Sequence, residues 1–210
     1  MSEKGSWPSI MKYGLLSTTA LLELFGYRGP KRFKIESQLR SGWSPVKIEH
    51  PVYGIAFIRD QFPMCDWPQE GIYLADLLED DVTEQQWFEF LNRKTYFWVK
   101  KYDLHKILCA PQYKNRAHWI LIVNTRALLE RYADKVYLCD QNSGSLYSRR
   151  KRGPNIFVPF RECPLKKNII ELAVDYGVPD IADFTISVEE YIGAKENGER
   201  ICKKLKHIWP

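Results

Sequence analysis

Short strand and helix patterns alternate along this chain without a regular β-α-β beat, and that irregularity is what most restricts its fold. A doubly wound parallel sheet needs the beat, and it usually carries a G-x-G-x-x-G turn that this chain lacks. The reading is therefore α+β: small twisted sheets, mixed or antiparallel, surrounded by helices. Ser6 can cap a short first helix, with Pro8 in its first turn and Gly14 at its stop. Trp7, Ile10 and Met11 fall on one face of it. A second helix covers 18–25, with Leu21, Leu22 and Phe25 as its apolar face, and a third covers 31–39 with Arg40 at its end. Further helices are expected at 73–78, behind the Thr83-x-x-Gln86 capping box, at 102–108, at 125–132 and as a turn at 178–182. Strand patterns occupy 46–48, 53–58, 95–99, 118–123, 135–138, 168–175 and 185–191, and 157–160 reads as extended.

Size and composition narrow the class. At 210 residues, 45% of them hydrophobic and 14% aromatic, the chain can build a sizeable core. One domain is expected over 1–192, followed by a charged, loosely attached tail over 193–210. Seven tryptophans and twelve tyrosines exceed what a minimal core needs, so some are expected to line a cleft. A net charge of +5 is compatible with an anionic ligand or nucleic acid without demonstrating either. The five cysteines are scattered, odd in number and without C-x-x-C spacing, which indicates neither zinc nor a disulfide framework. No histidine pairs with Cys or carboxylate at metal spacing, so no metal site is expected. With no charged-then-apolar leader and no long apolar run, the expectation is a cytoplasmic protein away from the membrane. Oligomeric state is open.

Four ordered motifs stand in the chain: G-L-L-S-x-x-A-L at 14–21, I-R-D-Q-x-P-M at 58–64, N-S-G-S at 142–145 and V-D-Y-G-V-P-D-I-A-D-F at 174–184. Through them, nearly the whole chain resembles an uncharacterised bacterial domain family. The order and spacing of S-I-x-x-x-G-L-L-S at 9–17, a strand-loop at 53–64 ending in Pro-Met, and Glu171 ahead of Val178-Pro179 resemble, more distantly, DarT-type DNA ADP-ribosyltransferases. The first of these patterns also resembles the opening of RNA 2′-phosphotransferases. The resemblance implies an ADP-ribosyltransferase-like fold, NAD as substrate, and transfer to an acceptor such as a nucleic-acid base. This chain departs from the pattern in three places: Gln61 stands where the family has Arg, with Arg59 two residues earlier, Phe57 stands where the family's preceding strand has Tyr, and the H-x-T strand that opens those families has no counterpart. Met1-Ser2 falls where that strand's last residues would lie, so the chain begins one strand too late for the pattern.

On this reading Glu171 and Arg40 are the catalytic candidates. A carboxylate near the ribose stabilises the sugar cation and can bond its 2′-hydroxyl, and a planar, permanently charged guanidinium suits the diphosphate. Ser17, Tyr53, Phe57 and Arg59 are the candidate NAD-binding residues: Ser17 heads a helix, Tyr53 or Phe57 would form part of the nicotinamide pocket wall, and Arg59 follows a strand. Plainer roles stay open beside these. Alternation along 168–175 makes Glu171 equally readable as a solvent-facing side chain. Arg40 can serve a helix C-terminus, Ser17 can be a cap, and Arg59 can pair with Asp60. The N-S-G-S segment reads as a turn or a polar contact loop. The basic run 149–152 reads as a solvated loop or a phosphate contact. Alternative functions are a catalytically inactive nucleotide-binding or interaction module of the same fold, and an RNA 2′-phosphotransferase-like activity, which requires Arg40, Arg59 and the 149–152 run to converge.

Overall fold

The computed structural model describes residues 1–40, 45–58, 73–146, 148–164 and 168–210. Two antiparallel four-stranded sheets carry the architecture, which is α+β as the irregular element order predicts. The first sheet has the order β1-β6-β11-β12, from Ser2–Glu3, Ala117–Val123, Thr185–Glu196 and Glu199–Trp209. The second has the order β5-β9-β7-β8, from Lys94–Trp98, Glu171–Asp175, Val136–Cys139 and Val158–Pro159. Two small antiparallel pairs complete it: β2 (Leu15–Leu16) with β10 (Gly177–Val178), and β3 (Val46–His50) with β4 (Gly54–Ile58). Every ladder among the described strands is antiparallel, and the parallel contact that occurs is a single bridge, Leu78 to Arg152.

Strand β9 is buried on both faces, and alternation divides its side chains between two cores. Leu172 and Val174 join Leu128, Val136, Val178, Ile181 and Phe184 on the side where Leu121 and Val123 of β6 also pack. Ala173 turns to the other face, against Leu74, Leu77, Trp87, Phe88, Leu91 and Phe157. Helices α4 (Leu74–Leu77) and α5 (Glu84–Asn92) cover that second face. The α5 helix starts at the predicted capping box: Gln86 N–H donates to Thr83 Oγ1 at 3.2 Å, and Thr83 N–H donates back to Gln86 Oε1 at 2.9 Å. A third, smaller core of Leu22, Phe25, Ile48 and Ile58 packs α2 (Thr18–Leu24) on the β3–β4 hairpin. The remaining helices are α1 (Trp7–Tyr13), α3 (Gly29–Glu36), α6 (Lys101–Leu108), α7 (Thr125–Tyr132) and α8 (Ile181–Phe184).

The first and last motifs of the sequence meet each other. Leu15–Leu16 pairs with Gly177–Val178, and Ser17 N–H donates to the Tyr176 carbonyl at 3.0 Å. Two glycines make the contact possible. A Cβ on Gly14, whose φ is +89°, would lie 2.3 Å from Pro179 Cα, and one on Gly177, at φ +133°, would lie 2.5 Å from the Leu15 carbonyl oxygen.

Several expectations need correction. The segment 193–210 is no loose tail: β11 runs on to Glu196, turns, and pairs with β12 as far as Trp209, which packs on Trp7 at 5.3 Å between ring centroids. Acidic residues on β11 receive the basic residues of β12, with Lys204 on Glu189 and Lys206 at 4.0 Å from Glu190. That charge complementarity, invisible in composition, turns a charged stretch into a strand. Helix α3 stops at Glu36, so Arg40 lies beyond it. Met11 is 48% exposed and does not share the buried face of Trp7. Ser6 sits at the N-cap position of α1, yet its hydroxyl donates to the Glu3 carbonyl at 2.7 Å and makes no cap.

Candidate active site

Glu171 opens β9 between Trp98 of β5 and Cys139 of β7. Alternation puts it on the Ala173 face, away from Leu172, and there it is covered: only 4% of it is exposed. The solvent-facing reading is thereby corrected, because the loop segment around Ser143 lies over this end of the sheet. Ser143 N–H donates to Glu171 Oε2 at 3.0 Å. Burial raises the carboxyl to about 7, opposed by hydrogen bonds from the Ser143 backbone and side chain and by the positive charge of Arg152. Near neutral pH this acid is therefore poised between its two protonation states, the condition a general acid or base needs. Tyr96, opposite Ala173 on the same face, donates its hydroxyl to the Leu91 carbonyl at 3.1 Å, and burial followed by the Glu171 charge holds its phenol well above the usual value.

The loop over Glu171 is organised by an arginine that no solvent reaches. Arg152 is 0% exposed and donates to Gln141 Oε1, to the carbonyls of Ser145 and Arg150, and to Ser148 Oγ. Its neighbours are also engaged: Arg150 bonds Asp140 at 2.9 Å, and Lys151 reaches the Leu78 carbonyl at 2.8 Å and Asp80 at 3.6 Å. Arg149, Arg150 and Lys151 are exposed, as the solvated-loop reading expects, whereas Arg152 is an internal ion.

Glu171 and Arg40 line one small cavity of about 230 Å³, together with Asn92, Ser143 and Gly144. Arg40 has structural duties there. It donates to the Ile35 carbonyl in the last turn of α3 and, through both terminal nitrogens at 3.2 Å, to Asn92 Oδ1. Asn92 in turn donates to the Glu36 carbonyl at 2.8 Å, so this cluster ties the ends of α3 and α5 together. The helix-terminus role foreseen for Arg40 and its place on the cavity wall coexist.

A much larger cleft, about 880 Å³, lies beneath α1 and α2. Ile10, Leu15, Leu21, Phe57, Phe97 and Leu121 give it an apolar lining, and Lys4, Lys100 and Lys101 stand on its wall. Thr18, Lys94, Tyr96 and Trp98 line both cavities, so the two adjoin along β5. Among the described strands β5 is an edge strand, with β9 as its partner. Val99 N–H donates to Ile170 and Tyr176 N–H to the Arg93 carbonyl, both on the β9 side. Strict alternation then turns the amides of Lys94, Tyr96 and Trp98 toward the open edge that both cavities share.

Lys94 is a feature of this wall that sequence reading passed over. Only 6% exposed, it pairs with Asp175, and its ammonium lies 4.0 Å from the centroid of Tyr137 and 4.6 Å from that of Phe90. Burial lowers its pKa, and the Asp175 carboxylate opposes that shift. The signal was present in the sequence, since Lys94, Tyr96 and Trp98 alternate along one strand face. For the fully buried Arg152 no sequence signal existed.

The other candidates fall in different places. Ser17 is buried as the cap of α2, its hydroxyl accepting from Ala20 N–H at 3.2 Å, and its neighbour Thr18 forms the cavity wall in its stead. Its amide and hydroxyl are thus both engaged within the protein. Phe57 lines the large cleft, 41% exposed. Tyr53 packs behind that wall, on Tyr13 at 5.3 Å, Phe25 at 5.9 Å and His50 at 4.6 Å, and lines neither cavity. That corrects its placement in a nicotinamide pocket. Arg59, with most of the I-R-D-Q-x-P-M motif, lies outside the described residues. Among the described residues no cluster of three or more His, Cys, Asp or Glu is arranged to hold a metal, and no helix is long and apolar enough to cross a membrane.

Fold and site together define an α+β domain with two antiparallel four-stranded sheets and a buried, pKa-raised acid beside a large cleft. The model of a family of unknown function (DUF7002) matches residues 1–185, and the chain belongs to that family. No curated protein and no solved structure matches it.

Proposed function

We propose that this domain transfers ADP-ribose from NAD to an acceptor nucleophile, the DarT resemblance implying a nucleic-acid base. The dinucleotide would lie in the cleft beneath α1 and α2, with its nicotinamide-side ribose reaching Glu171 past the open edge of β5. The observation that carries this reading is Glu171 itself: a buried carboxyl, raised to about 7, on a cavity that adjoins a cleft of about 880 Å³. That volume falls in the range of roughly 300–1,000 Å³ typical of ligand sites. The outward amides of Tyr96 and Trp98 suit a carboxamide, and the lysines on the cleft wall suit a diphosphate.

In the reaction the bond from ribose C1′ to the nicotinamide nitrogen breaks. Its electron pair stays on that nitrogen, giving neutral nicotinamide and a positively charged sugar. An ionised Glu171 stabilises that charge. The acceptor's lone pair then forms the new bond at C1′, and its proton passes to Glu171. Calorimetry with NAD, paired with chromatography of released nicotinamide, tests this. Glu171→Gln should keep NAD binding within a few fold and lower nicotinamide release by about 10² or more. A wild-type chain that does not bind NAD overturns the proposal.

One observation favours a second reading, binding without transfer. Arg40, the residue assigned to the diphosphate, is already hydrogen-bonded to Ile35 and Asn92. On that reading wild type and Glu171→Gln bind NAD alike and neither releases nicotinamide.

A further inference from the structure

We propose that Cys109 and Cys202 are a redox pair whose oxidation staples the C-terminal hairpin to helix α6. The two residues are 93 positions apart, yet their sulfurs lie 3.3 Å from each other. Cys109 is the residue after α6 and is 1% exposed, while Cys202 is half-buried on β12. Each thiol is further oriented toward the other's element, Cys109 Sγ to the Ile201 carbonyl and Cys202 Sγ to the His105 carbonyl, both at 3.6 Å.

The approach has a structural cause. Gly193, cross-strand partner of Cys202, lets the hairpin press on the end of α6: a Cβ there would lie 2.2 Å from the Leu108 carbonyl oxygen. Asn115 N–H donates to the Gly193 carbonyl at 2.7 Å and secures the contact. The backbones are thus packed together, and the thiols meet as a consequence. The staple would join two unlike parts of the chain. Helix α6 belongs to the family-matched region and contributes Lys101, Leu104 and His105 to the wall of the large cleft, whereas β12 lies beyond residue 185.

The chemistry is exchange with a low-molecular-weight disulfide, R–S–S–R. The Cys202 thiolate, the more accessible of the two, attacks one sulfur and expels RS⁻, leaving a mixed disulfide. The Cys109 thiolate then attacks the Cys202 sulfur and expels the second RS⁻. Two thiol protons leave the protein, two RSH form, and the reagent is reduced as the pair is oxidised. Burial and the neighbouring thiol push Cys202 up to about 12, so the exchange is slow at neutral pH and quickens as pH rises.

The test uses the full folded chain with oxidised glutathione as the probe. Non-reducing peptide mapping should recover a cross-linked Cys109–Cys202 peptide, forming faster at pH 9 than at pH 7. The Tm of the oxidised protein should rise by roughly 5–10 °C over the reduced form, as expected for closing a long loop. Cys202→Ser should lose both the cross-link and the shift, while Cys163→Ser keeps them. Should Cys202→Ser fail to fold, cycling wild type between glutathione and a reducing dithiol supplies the same comparison. Glutathione adducts without the cross-link, a cross-link that forms only in denaturant, or an unchanged Tm each overturn the inference.

Discussion

The two cavities along β5 share a wall and little else. The large cleft is built mainly from the first two helices, β4 and β6, and most of its surface is aliphatic or aromatic. The small one adds Glu171, Arg40, Asn92 and the 142–144 loop to a lining that also holds Leu91, Ile107 and Tyr113. Apolar burial supplies affinity in proportion to area, with little direction. Buried charge supplies the reverse, since each ionisable group must be held by specific partners or change its protonation. The contrast teaches that binding and chemistry are separable here, and that mutations should divide accordingly.

The largest effect is expected from Arg152→Ala. Removing a fully buried cation leaves Gln141 and the Ser145 carbonyl without their donor and frees the loop over Glu171. A loss of about 3–5 kcal/mol in urea denaturation is expected, with ligand affinity of the large cleft nearly intact in the folded fraction. A loss below about 1 kcal/mol would show that the small cavity does not depend on this internal ion. Gly14→Ala should follow, at roughly 3 kcal/mol by the same measurement. Its Cβ meets Pro179 backbone, and its φ of +89° disfavours any side chain. This variant strikes the roof of the large cleft, so wild-type stability would break the link drawn between the terminal motifs and that cavity.

Glu171→Gln separates the two cavities by pH. The folded-state value is raised from the ordinary carboxylate range to about 7, so the contribution of the neutral acid is fully present below about 4.5 and is lost as pH rises through 7. Wild type should therefore lose on the order of 3 kcal/mol from this group between pH 5 and pH 8, and the variant should not. Matching stability–pH curves for the two proteins would exclude a raised Glu171. The smallest effect belongs to Phe57→Ala. With 41% of Phe57 already exposed, stability should change by less than about 1 kcal/mol, whereas NAD affinity measured by calorimetry should fall. An unchanged affinity would remove the β4 wall from the binding surface.

Much of the scaffold was legible because its signals are local. The capping box at Thr83 and Gln86, the aromatic strand at Lys94–Trp98 and the apolar strand at Ala117–Val123 depend on residues a few positions apart. The site was legible only in outline. Glu171 was singled out, but strand alternation gives two faces and cannot say which one is covered; the loop segment around Ser143 decided that. Ser17 and Tyr53 were misplaced for a related reason. Both sit one layer behind the cavity walls, with Thr18 in front of one and Tyr13 and Phe25 in front of the other, and a sequence has no depth.

Periodicity, caps and glycine stops determined from sequence alone that this would be an α+β domain of short elements. They also marked Gly14 as a helix stop, because backbone conformation answers to immediate neighbours, while the 174–184 segment stood out only as a motif of the family resemblance. Only tertiary structure decided that those two segments touch, that Arg152 is an internal ion, that the charged last residues become a strand, and that Cys109 meets Cys202. Each of those outcomes depends on which side chains burial brings together from distant positions, and burial is a property of the assembled layers.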